Sequence, residues 1–135
     1  MRNETIATVD GHRVVVQDSI SLIGPDDAGA IIISGSHGGA ISGAFAAQHR
    51  PALVIFNDAG IGKKEAGVAA LTDLERMGVP GAAISHLSAR IGDAADAWEN
   101  GIVSRANRPA TEAGIVPGRP LEEVVRCFAA REKVR

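Results

Sequence analysis

Residues 30–57 read AIIISGSHGGAISGAFAAQHRPALVIFN. Two unbroken apolar runs, 30–34 (AIIIS) and 52–57 (ALVIFN), flank a Gly-rich polar loop and an Ala-rich stretch, 39–49, that reads as a helix. An apolar run without polar alternation is a strand buried on both faces, and a helix between two such strands is a parallel crossover. The unit then repeats. Residues 63–77 form a helix pattern with Ala66, Ala70, Leu71, Leu74 and Met77 near one face and Gly78 as its stop, and 79–85 (VPGAAIS) is a third strand. Toward the N-terminus, 5–9 and 14–16 are short β-rich runs around Asp10-Gly11, a favoured two-residue hairpin turn, and Gly24-Pro25-Asp26-Asp27 marks a loop. Toward the C-terminus the pattern turns helical over 93–100 and 101–113, closed by Gly114. Pro117-Gly118-Arg119-Pro120 then breaks the chain, and 121–132 is an amphipathic helix with Pro120 suited to its first position. The expected fold is α/β: a single three-layer domain over 1–135, with a mainly parallel sheet of Rossmann-like or flavodoxin-like kind, an N-terminal β-hairpin and C-terminal helices.

Composition narrows the function classes. The 135 residues are 45% hydrophobic, which suits a compact globular domain and excludes a disordered chain. Sixteen glycines without a period exclude collagen and low-complexity repeats. The absence of tyrosine, with one tryptophan and three phenylalanines, argues against a nucleic-acid module built on stacked rings. Fourteen Lys and Arg against sixteen Asp and Glu give a net charge of -2, and no basic block stands out except the last turn, 131–135, so no duplex-binding surface is expected. The single cysteine, Cys127, excludes an intrachain disulfide and a Cys-based zinc cluster, and reads as a small buried hydrophobe on a helix. Residues 1–10 lack the features of a signal peptide, and no run approaches the roughly 20 apolar residues of a membrane span. A cytoplasmic protein with neither nucleic acid nor membrane as partner is expected.

Ligands of an open α/β sheet bind beyond the carboxyl ends of its strands. Each apolar strand here ends in a polar cluster: Ser34-Gly35-Ser36-His37-Gly38-Gly39, then Asn57-Asp58-Ala59-Gly60-Ile61-Gly62-Lys63-Lys64, then Ser85-His86-Leu87-Ser88-Ala89-Arg90-Ile91-Gly92-Asp93. Turn chemistry accounts for the Gly, Asn, Asp and Ser, but not for two histidines, an arginine and a lysine at one edge. In the first cluster the amides of Gly38 and Gly39 open a helix and outline an anion or oxyanion site, with His37 as acid, base or metal ligand. It is not a nucleophile elbow, because Ser34 stands where Gly must precede Ser36. The second is not a P-loop. Lys64 follows Gly62-Lys63 and Asn57 replaces the first Gly, so a nucleotide cofactor is not expected. There Asp58 either caps its turn or orients a histidine, while Asn57 and Lys63 are candidates for holding a substrate anion. In the third, His86, Ser88 and Arg90 alternate, which in extended chain sets them on one side. Arg90 suits a carboxylate or phosphate, and Asp93 suits a helix cap. Ser104, Arg105 and Asn107 read as helix residues, either ordinary surface or reaching the rim or a subunit contact, His12 as an exposed hairpin residue, and His49 as a cap at a helix end.

Three functions use this rim differently. In the leading one, His37 and His86 are acid and base on a small anionic metabolite held by Gly38, Gly39, Asn57, Lys63 and Arg90, which gives an isomerase or lyase. A variant sets a divalent metal among His37, Asp58 and His86. In the second, Ser36 or Ser88 is a nucleophile, a histidine its base and Asp58 the orienting carboxylate of a hydrolase. In the third, the rim binds its ligand without turnover, as a regulatory subunit. The Ala-rich helix permits the close packing of a homo-oligomer.

Overall fold

The computed structural model describes residues 1–132 and, within them, not the side chains of Lys64 and Gly67; most of the basic run at 131–135 falls outside it. The hairpin forms as expected. Strands β1 (Asn3–Val9) and β2 (His12–Gln17) pair antiparallel. Asp10 and Gly11 both take positive φ, 48° and 87°, the backbone that a tight two-residue turn demands. Then follow β3 (Ile31–His37), α1 (Ala40–Ala47), β4 (Leu53–Asn57), a 3-10 turn (Lys63–Val68), α2 (Ala69–Arg76) and β5 (Gly81–Ile84). The chain closes with α3 (Ala94–Asn100), β6 (Val103–Ala106), α4 (Arg108–Glu112) and α5 (Leu121–Arg131).

The six strands make one mixed sheet in sequential order, β1 to β6. The inner pairs from β2 to β5 are parallel, and the two outer pairs are antiparallel. Alternate residues of each inner strand point to opposite faces, and both faces are covered, which is why the strands read as continuous apolar runs. Val14, Val16, Ile31, Ile33, Leu53, Ile55 and Ile84 pack with residues of α3 and α5. Val15, Ile32, Val54, Phe56 and Ala83 pack with residues of α1 and α2. Successive crossovers of one hand step across the sheet in one direction, so α1 and α2 share a face. The sheet has no strand-order reversal, yet the carboxyl ends of β3, β4 and β5 still lie side by side.

Several expected elements change. Residues 101–113 are not one helix. Gly101 is extended, Val103 exchanges backbone hydrogen bonds with Arg119 and Gly118, and β6 pairs with β5. Pro109, which lacks an N–H and crowds the preceding turn, belongs in a first helical turn, and here it opens α4 behind Asn107. Residues 63–77 divide into the 3-10 turn and α2, with Glu65 leaving the helical path at φ 59°. Strand β3 runs on through the first polar cluster as far as His37. Pro120 is the N-cap of α5 rather than its first helical residue. Cys127 is exposed, not a buried hydrophobe. His12, expected in solvent, is buried between the carbonyls of Gly29 and Glu132. Among the described residues no helix is long and apolar enough to cross a membrane.

Candidate functional site

The site is built around the end of β4. Parity places Asp58 on the α1/α2 face, directly after the last strand residue, and it is only 4% exposed. A carboxylate buried this far needs several donors. Its Oδ1 accepts from the amide of Gly60 at 2.8 Å and the amide of His86 at 3.0 Å, and lies 3.3 Å from His86 Nδ1. Burial pushes the Asp58 carboxyl up, but the Ser104 hydroxyl, the two amides and the His86 ring together outweigh it and hold the group below its ordinary range. The His86 ring lies over Gly60, where an added Cβ would stand 3.4 Å from ring Cε1. Gly60 also takes φ 78°, so a side chain there would strain the backbone, although its Cβ would meet the ring only at van der Waals distance. His86 thus presents Nδ1 to a buried carboxylate, while its side chain remains 46% exposed. Among the described residues, Nε2 takes no hydrogen-bond partner from the protein.

Ser104 enters through a β-bulge. Ile84 pairs with Val103 and Ala83 with Arg105, so Ser104 is the extra residue on β6. A bulge sets two successive side chains on the same side of a sheet and re-aims them. Here the Ser104 hydroxyl donates to the Ala83 carbonyl at 3.3 Å and comes near enough to Asp58 to help lower its carboxyl. Arg105 follows on that face, with Nη1 3.7 Å from a carboxylate oxygen of Glu65. Arg105 and Glu65 line a 470 Å³ cleft along α2 and β6, with Ala40, Val68, Thr72 and Asn107 among its other walls; Ser104, Asp58 and His86 lie outside its lining. Ser104 and Arg105, expected on a helix as surface, rim or subunit-contact residues, lie on a strand instead. The β-branched Val103 and the Asn-Arg-Pro start of a new helix were the signals that could have found them.

The other candidates do not gather here. The Ser36 hydroxyl accepts from the amide of Ile20 at 2.9 Å. The Ser88 hydroxyl donates to the Ser85 carbonyl at 2.7 Å and accepts from the amide of Ile102 at 2.9 Å. Both expected nucleophiles are therefore engaged by backbone, and among the described residues neither is bonded to a histidine. Asn57, expected to hold substrate, is 1% exposed and ties two loops together, donating to the Ala89 carbonyl and accepting from the Ala59 amide. His37 is exposed and folds back on its own turn, where Nδ1 accepts from the amide of Gly39 at 3.1 Å. That bond directs the Gly39 amide away from any oxyanion, and Gly38 is buried with its carbonyl accepting from the Ala70 amide. Arg90 stands apart from the His86 dyad, in a cleft walled by Asp18, Asp93, Asp96 and Glu99. There its amide donates to Asp96, and that bond, the Asn100 side chain and the Arg90 charge hold the Asp96 carboxyl below its ordinary value. Arg2 also lines this cleft, and four carboxylates against two guanidinium groups disfavour an anionic ligand. Asp93 caps α3 through the amide of Asp96, as expected. Lys63 is exposed at the start of the 3-10 turn. Among the described residues no three His, Cys, Asp or Glu side chains converge as metal ligands, so His37, Asp58 and His86 do not form the expected triad.

Chemically, what remains is a histidine steered by a buried carboxylate, with its second ring nitrogen open to an approaching molecule. That is the arrangement of a general acid or base. Compared with known proteins, the chain matches no family model, no curated protein and no solved structure.

Proposed function

We propose that the protein is a small-molecule enzyme in which His86, oriented by Asp58, exchanges a proton with an anionic metabolite in an isomerase- or lyase-type reaction. The observation that carries this reading is the 3.3 Å approach of His86 Nδ1 to Asp58 Oδ1, with the carboxylate buried and the His86 side chain about half exposed. An orienting carboxylate selects the tautomer with hydrogen on Nδ1, which leaves Nε2 to take a proton and stabilises the imidazolium that results. A turn cap needs neither the burial nor the ring contact. The engaged hydroxyls of Ser36 and Ser88 weigh against the hydrolase reading. The likeness to a Rossmann-like sheet is proposed in one respect only: the ligand lies beyond the carboxyl ends of the parallel strands. The same proposal takes the protein as a cytoplasmic homo-oligomer with neither nucleic acid nor membrane as partner.

The test is hydrogen exchange into substrate carbon. The protein is incubated in D₂O with a panel of small 2-oxo acids, 2-hydroxy acids and sugar phosphates, and proton NMR follows loss of the carbon-bound hydrogen. Exchange should fall by about 10²- to 10⁴-fold in His86→Gln, the usual worth of a positioned acid or base. Asp58→Asn should lower it while leaving the fold intact by amide spectra. Exchange undiminished in His86→Gln would remove the assignment. Binding of panel members without exchange of any hydrogen would favour the binding-only reading.

A further inference from the structure

We infer that Arg105 grips the anionic group of the ligand, that this group is a carboxylate, and that Glu65 holds its place until the ligand arrives. The inference rests on the acid–base reading for the direction in which the ligand lies, but its binding test does not depend on turnover.

The bulge in β6 is the first reason. By making Ser104 the extra residue, it turns Arg105 onto the face that carries Asp58, one residue beyond the serine whose hydroxyl comes near that carboxylate. Two of the expected anion-binding residues are engaged elsewhere. Arg90 sits among carboxylates, and Asn57 is bonded within the core. The second reason is the partner that Arg105 has now. Glu65 approaches at 3.7 Å, and the two side chains are 48% and 66% exposed. An exposed pair at that separation contributes little and opens readily. A ligand carboxylate making two parallel hydrogen bonds to the guanidinium would replace it with a stronger contact. The group already seated there is a carboxylate, which favours that chemistry over phosphate. Glu65 is also held at φ 59°, a conformation few non-glycine residues adopt, so the turn that delivers it stores some strain.

The geometry also bounds the ligand. His86 follows β5 and Arg105 stands on β6, its neighbour in the sheet. Arg105 pairs with Ala83, three residues before His86, so the two positions are offset by up to about 10 Å along the sheet as well as by one strand spacing of about 4.8 Å. The class is therefore a small carboxylic acid, with the carboxylate on Arg105 and the acidic C–H toward His86 Nε2.

The experiment is an amide chemical-shift titration of the ¹⁵N-labelled protein with pyruvate, acetate and inorganic phosphate. Pyruvate should bind to the wild type, with shifts centred on residues 65 and 104–106. Removing the competing carboxylate in Glu65→Gln should tighten pyruvate binding about two- to fivefold, the range expected for an exposed pair. Arg105→Gln should weaken it by about tenfold or more, as befits loss of a charge-assisted contact. Arg105→Lys, which keeps the charge but not the fork, should fall between. Acetate should shift the same residues more weakly, and phosphate should not outcompete pyruvate. Pyruvate affinity unchanged in both Glu65→Gln and Arg105→Gln would overturn the inference, as would preferential binding of phosphate. Hydrogen exchange that depends on His86 but is indifferent to Arg105 would overturn it while leaving the dyad standing. Tighter binding in Glu65→Gln with no exchange in any variant would uphold the anion site and remove the acid–base reading.

Discussion

Replacing Gly35 with alanine separates two meanings of the glycine-rich rim. As a place where backbone approaches a ligand, the position would tolerate a methyl group in the free protein and lose only binding. The structure says otherwise. A Cβ there would stand 2.6 Å from the Asp18 carbonyl oxygen, 2.7 Å from the Gly92 carbonyl carbon and 2.8 Å from the Asp93 nitrogen. All three are backbone atoms, so no side chain can swing away. Overpacking of this kind costs about 1–3 kcal/mol. Relief would require moving residues 92–93 away from β3, which stretches the 2.7 Å hydrogen bond from the Gly92 amide to the Gly35 carbonyl. It would also disturb the start of α3, where Asp93 caps Asp96 and Asp18 accepts from Ala94. Weakening two such bonds adds about 1–2 kcal/mol. Against this, a glycine-to-alanine change gains about 0.4–1 kcal/mol by restricting the unfolded chain. The net expectation is a loss of roughly 1–4.5 kcal/mol. For a chain of this size that lowers Tm by roughly 4–15 °C, with a fall of about 0.5–2.5 M in the urea midpoint at unchanged slope. Urea unfolding followed by circular dichroism reads both quantities. A midpoint within about 0.3 M of wild type would refute the packing argument and return Gly35 to the ligand.

Two further outcomes follow from the same contacts. The Asp58 carboxyl is held below its ordinary value of 3.8, so its contribution to stability is fully present above that value and is lost as pH falls through the folded one. The stability gap between wild type and Asp58→Asn should accordingly be widest above about pH 5 and narrow only as pH falls below 3.8 toward the depressed folded value in urea titrations; a gap that widens on acidification would contradict the depressed pKa. Ser88→Ala should cost about 1–2 kcal/mol, because the Ile102 amide loses its acceptor, while leaving substrate hydrogen exchange unchanged. Loss of exchange in a well-folded Ser88→Ala protein would revive the serine-nucleophile reading.

How far the sequence is legible depends on the range of the forces involved. The hairpin at Asp10-Gly11, the three inner strands and the ends of α1 and α5 follow from local rules: turn chemistry, unbroken apolar runs and helix stops. Those rules decide the class of fold and bring the three polar clusters to one edge. They do not decide what each cluster bonds to. Ser36, Ser88 and Asn57 are polar residues at strand ends, and nothing within a few residues shows that Ile20, Ile102 and Ala89 will claim them. Edge strand β6 is harder still. Val103–Ala106 is four residues long, and its strand identity comes from pairing with β5 and with the 118–119 segment, contacts distant in sequence. Local propensity across 101–113 is divided, with Ile102 and Val103 favouring strand and Arg105 and the alanines favouring helix, and tertiary pairing settles it. Since Ser104 and Arg105 lie on that strand, the part of the site that local rules conceal is the part that comes near Asp58 and lines the cleft.

The bonding around Asp58 also bears on whether His86 can act as an acid or base at all. Catalysis of this type requires a ring fixed before the substrate arrives, because each rotamer frozen on binding subtracts from the gain. His86 begins a loop and is half exposed, which by itself implies a mobile ring. Two residues at the end of β4 oppose that mobility. Asp58 holds the His86 amide and ring together with the Gly60 amide, and Asn57 joins the Ala59 amide to the Ala89 carbonyl. The segments 57–60 and 86–89 are thereby tied on both sides of the ring, by side chains that are themselves buried. Gly60 completes the arrangement by letting the ring lie flat against backbone. Loop position gives His86 its access to solvent, and the buried pair gives it a fixed direction; a proton-transferring histidine needs both.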